Sequence, residues 1–107
     1  AEQFLCLLAA AQKKLKIDYE PMVNVICDYA GGRFRLFVFL RRKHRPEAYF
    51  AKGENRIFIS PGAVDMAGVI IAPLLDNYNR LYYNAIRGIY REVSLPEGMM
   101  DSIVKEL

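Results

Sequence analysis

Two strand-forming runs, Met22 to Tyr29 and Arg33 to Arg41, face each other across Ala30-Gly31-Gly32. Glycine reaches positive φ without a Cβ penalty. A Gly-Gly pair between β-branched and aromatic runs therefore predicts an antiparallel hairpin, and no other stretch limits the fold as tightly. Leu36 to Leu40 is apolar throughout, the pattern of a strand covered on both faces. Asn24 is a polar residue in the apolar part of the first run. A buried Asn needs hydrogen-bond partners, so it reads as a structural bridge or a ligand contact, with the bridge the simpler reading.

The other segments follow from periodicity and punctuation. Residues 2–16 carry Phe4, Leu7, Leu8, Ala11 and Leu15 at helical spacing, with Lys13, Lys14 and Lys16 at the end that favours cations. Pro21 closes the connector that follows. After a loop from Arg42 to Lys52, Arg56 to Ser60 and Gly68 to Ala72 read as two more short strands, separated by the Pro61-Gly62 turn. Asp76 to Val93 reads as one helix, with Leu81, Ala85, Ile86, Ile89 and Val93 on one face and Arg80, Asn84, Arg87 and Arg91 on the other. Ser94-Leu95-Pro96-Glu97 has the form of a capping box opening a last helix. The expected fold class is α+β, an antiparallel sheet with flanking helices, in a single domain over residues 1–107.

Composition supports a self-sufficient core, with 53% apolar residues. Cys6 and Cys27 sit in apolar patterns and read as reduced core residues of a cytoplasmic protein. No apolar run approaches the roughly 18 residues of a membrane helix, and Phe4 to Ala11 lacks a basic flank, so neither a membrane partner nor a signal peptide is expected.

Charge matters more by position than in total. The net charge is only +3, yet Asp28 and Glu47 bracket Arg33, Arg35, Arg41, Arg42, Lys43 and Arg45 with no acid among them. A strand that delivers Arg41-Arg42-Lys43-His44-Arg45 to its end suggests a site for phosphate, which guanidinium groups bind bidentately. A solvated loop after a buried strand accounts for the same residues about as well. His44, the one histidine, is more simply a surface residue than an acid–base group. With two distant cysteines it does not make a metal site. Ser60-Pro61-Gly62-Ala63 with Asp65 offers a hydroxyl, turn amides and a carboxylate. Such turns can cradle an anion, though a plain connection is the simpler reading. The sequence has neither the phosphate-binding loop nor the dinucleotide fingerprint. Tyr78, Tyr82, Tyr83 and Tyr90 with Arg80, Arg87 and Arg91 mix stacking and charge. An amphipathic helix explains them more cheaply than single-stranded nucleic acid, which is not the expected partner.

The segments EPMVNVICDY, RFRLFVFLRRKHRP and ISPGAVDMAGVIIAP resemble the C-terminal part of bacterial proteins related to nucleotide phosphorylases and nucleotidyltransferases. That group is the histidine-triad-like superfamily. It includes diadenosine tetraphosphate phosphorylase, GDP-L-galactose phosphorylase and galactose-1-phosphate uridylyltransferase. The resembling pattern is an Asn in a strand, a hydrophobic strand closing on Arg, a Ser before a small-residue turn, and a further strand with Ala-Gly. Asn24, Arg41, Ser60 and Ala67-Gly68 stand at those places, within residues 20–75. Leu40 precedes the Arg where the enzymes often have Pro.

The resemblance implies a histidine-triad-like half and chemistry through a covalent nucleotidyl-histidine. The chain has no His-x-His pattern. The resemblance therefore implies that the nucleophile lies in an N-terminal half of the same protein, and that this chain is a C-terminal domain with no catalytic residue and no activity alone. Asn24, Arg41, Arg42, Lys43, His44 and Ser60 would then line or buttress a nucleotide or sugar-phosphate pocket, without cofactor or metal. Two other readings stand beside it. One is a basic module for nucleic acid or an acidic partner, with steeply salt-dependent binding. The other is a structural domain that completes a larger sheet or a homodimer.

Overall fold

The computed structural model describes residues 2–107. Its architecture is α+β, a two-stranded antiparallel sheet with helices packed against one end. Helix α1 spans Glu2–Leu15 and strands β1 and β2 span Val23–Ala30 and Arg33–Leu40. Short helices α2 (Glu47–Phe50), α3 (Ala63–Met66) and α4 (Leu75–Arg80) lead to α5 (Tyr83–Val93) and α6 (Met99–Val104).

The hairpin pairs Val23 with Leu40 through to Ala30 with Arg33. The two residues of its turn, Gly31 and Gly32, have φ of 61° and 76°. Positive φ at both central positions is the requirement of the primed turn whose twist suits a two-residue hairpin. Near the tip, Tyr29 and Phe34 meet edge to face and Arg35 donates to Asp28. Their apolar surface remains exposed, at 64% for Tyr29 and 75% for Phe34.

Helices cover only the base of the hairpin. Ala11 of α1, Leu40 of β2 and Ile103 of α6 form one buried cluster, with Leu7, Leu8, Val23, Leu95, Met99 and Met100 packed around it. A second apolar centre lies beyond the end of β2. There Ile59, Ile89 and Val93 are buried, and a small cavity is lined by Ile59, Pro61, Asp65, Ile70, Leu81, Ile86, Ile89 and Tyr90. The chain passes between the two centres at Leu40-Arg41. The Arg41 amide donates to the Met22 carbonyl (2.9 Å), and Arg41 forms an isolated antiparallel bridge with Ser94.

Several expectations are corrected. Leu36 and Phe37 are 45% and 46% exposed, so this strand is not covered on both faces. A two-stranded sheet has no neighbour to shield its outer half. Residues 56–60 and 68–72 run without strand pairing. Side chains supply part of their backbone pairing: Asn77 accepts from the Phe58 amide (2.6 Å) and donates to the Arg56 carbonyl (3.1 Å). The Ile71 amide donates to Asp65.

The expected helix over Asp76 to Val93 is two helices, parted at Leu81-Tyr82. Its apolar stripe begins only at Leu81, which lines the small cavity, while 76–80 is held by polar contacts to residues 54–58. The last helix opens at Met99 behind Gly98 (φ 82°), not at Ser94, whose backbone is engaged with Arg41. Residues 47–50 of the expected loop form α2. Cys6 and Cys27 are exposed free thiols rather than core residues.

Candidate functional site

β2 ends by burying a charge. Arg41 is 5% exposed, at the point where the strand leaves one apolar centre for the other. Its Nη1 donates to Asn24 Oδ1 (3.1 Å) and to the Pro61 carbonyl, and its Nη2 donates to the His44 carbonyl. Asn24 belongs to β1, Arg41 follows β2, and Pro61 lies in the turn before α3. One guanidinium therefore joins three segments far apart in sequence. Ser60 is exposed beside it, with Oγ donating to the same His44 carbonyl at 3.5 Å. Burial lowers the Arg41 pKa and the charge of Asp65 acts against that; a guanidinium stays protonated in either case.

Asp65 is buried at the start of α3. Its Oδ2 accepts from the Gly62 amide at 2.7 Å, which fixes the Pro61-Gly62 turn against the helix. Its backbone carbonyl accepts from the Tyr90 hydroxyl at 2.8 Å. Burial raises the Tyr90 pKa, and the Asp65 charge adds to the rise. The turn is thus tied to β1 and β2 through Arg41 and to α5 through Tyr90.

The basic residues after Arg41 separate. The Arg42 guanidinium donates to the Glu92 carbonyl (2.8 and 3.2 Å), and its amide donates to the Val93 carbonyl (2.8 Å). Lys43 Nζ lies 2.7 Å from Glu92 Oε2. The same carboxylate accepts from the Glu47 amide (2.6 Å) at the start of α2. Burial opposes the charged form of Glu92, but Lys43, the Glu47 amide and Arg42 outweigh it and bring its pKa below the ordinary value. His44 is exposed. Arg45 turns away and lays its guanidinium over the Tyr49 ring, 4.3 Å from the centroid.

Of the six residues singled out from sequence, Asn24, Arg41 and Ser60 converge with the backbone of His44. Arg42 and Lys43 run along the end of α5. Glu92 and Asp65 organise these contacts. Glu92 had no local signal, since its partners lie 45 to 50 residues away. Asp65 stood in the SPGAVD turn, where an acid three residues after Gly62 is an N-terminal cap signal. Among the described residues, no group of three or more His, Cys, Asp or Glu side chains is placed to hold a metal ion, and no helix is long and apolar enough to cross a membrane.

Comparison with protein-family models, with curated proteins and with solved structures finds no match to this chain.

Proposed function

We propose that this chain is the C-terminal domain of a nucleotide phosphorylase- or nucleotidyltransferase-like protein, and that it builds one wall of a nucleotide or sugar-phosphate pocket. The observation that carries the reading is the meeting of Asn24, Arg41 and the Ser60-Pro61 turn around one guanidinium. These are the positions at which the sequence resembles that group. Arg41 and Asn24 act here as a buttress, because their polar atoms face the protein's own oxygens. They hold the turn and the 42–45 loop in fixed relation, and preorganised groups stabilise a phosphate best when they need not move to meet it. His44 is exposed at the loop, as are Arg42 and Ser60. The nucleophile comes from the N-terminal half of the same protein.

The bare hairpin fits a domain that others cover. The accessible surface is 7779 Å², against about 6,100 Å² for a compact monomer of 12.3 kDa. The excess is roughly twice the 800 Å² or so that one partner contributes to a standard interface. In this reading strands of the N-terminal half continue the sheet. The same surface favours a second reading, in which the domain serves a homodimer alone. A ligand screen of the full polypeptide separates them. The first requires selective stabilisation by a nucleoside phosphate or nucleotide sugar, and the second gives self-association with no such ligand.

A further inference from the structure

Ten residues separate Arg45 from Arg56, yet both lie on the same pair of rings. The Ile57 amide donates to the Ala48 carbonyl (2.9 Å), which brings the extended 56–60 segment against α2. The Tyr49 and Phe58 rings then lie 4.5 Å apart between centroids, with their planes inclined by 37°. Arg45 covers Tyr49 at 4.3 Å, and Arg56 covers Phe58 at 4.3 Å while reaching to 6.0 Å from the Tyr49 centroid. Cation–π stacking fixes a guanidinium plane without using its N–H donors.

Neighbouring arginines are bonded otherwise. Arg41, Arg42 and Arg80 donate to backbone carbonyls. Arg45 and Arg56 are exposed, and neither guanidinium donates to an acceptor among the described residues. Glu47 and Glu54 are in the same segment, but neither comes into ion-pair range of them. The result is two oriented forks with free donors, at most about 10 Å apart by way of the shared Tyr49 ring.

We propose that Arg45 and Arg56, held on the Tyr49–Phe58 ring pair, form a binding site for a diphosphate group, apart from the Asn24–Arg41–Ser60 cluster. A single phosphate reaches one fork at full strength, whereas a diphosphate offers an oxygen edge to each. The ligand is either free pyrophosphate or the diphosphate of a nucleotide, and the site does not depend on the nucleotidyl-transfer reading.

The test is a titration of the protein with pyrophosphate, inorganic phosphate and ADP, followed through arginine Nε–Hε NMR signals. Pyrophosphate is expected to move the signals of Arg45 and Arg56 and to bind about tenfold more tightly than phosphate. The R45Q/R56Q double variant, altered only at exposed side chains, keeps its melting temperature and loses that binding. R56K keeps the charge but not the planar fork, and binds about tenfold more weakly. ADP matching pyrophosphate identifies the diphosphate itself as the ligand, and tighter ADP binding identifies a nucleotide. Unmoved Arg45 and Arg56 signals, or a double variant that binds pyrophosphate as the parent does, overturn the proposal.

Discussion

At the end of β2 a guanidinium sits where a smaller side chain would leave the Pro61 carbonyl and the Asn24 amide oxygen without a donor, and the His44 carbonyl with only the long contact from Ser60 Oγ. Hydrogen bonds from a charged donor contribute more than neutral ones, and stranding a buried acceptor costs its desolvation. Arg41→Ala should therefore lower stability by about 3 kcal/mol, and Asn24→Ala by about 1 kcal/mol. Urea unfolding of both variants checks this. A loss below that of an ordinary surface substitution at Arg41 would remove its role as a buttress. The sequence marked Arg41, Asn24 and Ser60 as notable, but the bonds from Arg41 to Asn24 and to the Pro61 carbonyl had no local signal. Hydrogen-bond partners 17 and 20 residues apart leave no periodic trace.

The elements legible in sequence are those whose stabilising contacts are local. The hairpin announced itself because Gly31-Gly32 and the flanking β-branched runs decide it within a few residues, and α1 because its apolar spacing is regular. Segments 56–60 and 68–72 had strand composition but no strand to pair with. Asn77 takes the ladder's place for the first, an arrangement invisible in a 19-residue separation. Asn77→Ala should strand the Phe58 amide and cost about 2 kcal/mol. Amide exchange at Phe58 should rise with it, and unchanged protection there would show that Asn77 is not the partner that matters. Glu92 ties the 42–47 loop to α5 in a comparable way. Its pKa is lowered in the folded state, so it binds a proton more readily when unfolded. Its contribution is present above the ordinary carboxylate pKa and is lost as pH falls through the folded value. Glu92→Gln should cost about 1 kcal/mol at pH 7 and flatten the acid limb of a urea-midpoint-against-pH profile. An acid limb identical to the parent's would exclude that linkage.

At the scale of the molecule, the radius of gyration of 15.8 Å exceeds the roughly 13 Å expected of a compact chain this long. The outer half of the hairpin keeps the aromatic side chains of Tyr29, Phe34 and Phe37 exposed. An open groove between that half and α1 is lined by Phe4, Leu7, Phe34, Leu36 and Val38 with both cysteines. The apolar content that suggested a self-sufficient core is instead divided between two small centres and a bare surface. Sequence composition reports how much apolar material a chain has, not whether it can fold over itself. The α+β class was legible because strand and helix patterns are local. The number of strands was not, because it depends on pairing.

A thermal-shift screen of the full polypeptide against nucleoside phosphates and nucleotide sugars, with inorganic phosphate as control, bears most directly on the pocket. Ligands that bind only the folded state raise the melting temperature. The account predicts a rise selective for one nucleotide class that inorganic phosphate does not reproduce, and that His44→Ala reduces without lowering the melting temperature of the unliganded protein. A chain stabilised by none of these ligands, or equally by inorganic phosphate, would contradict it.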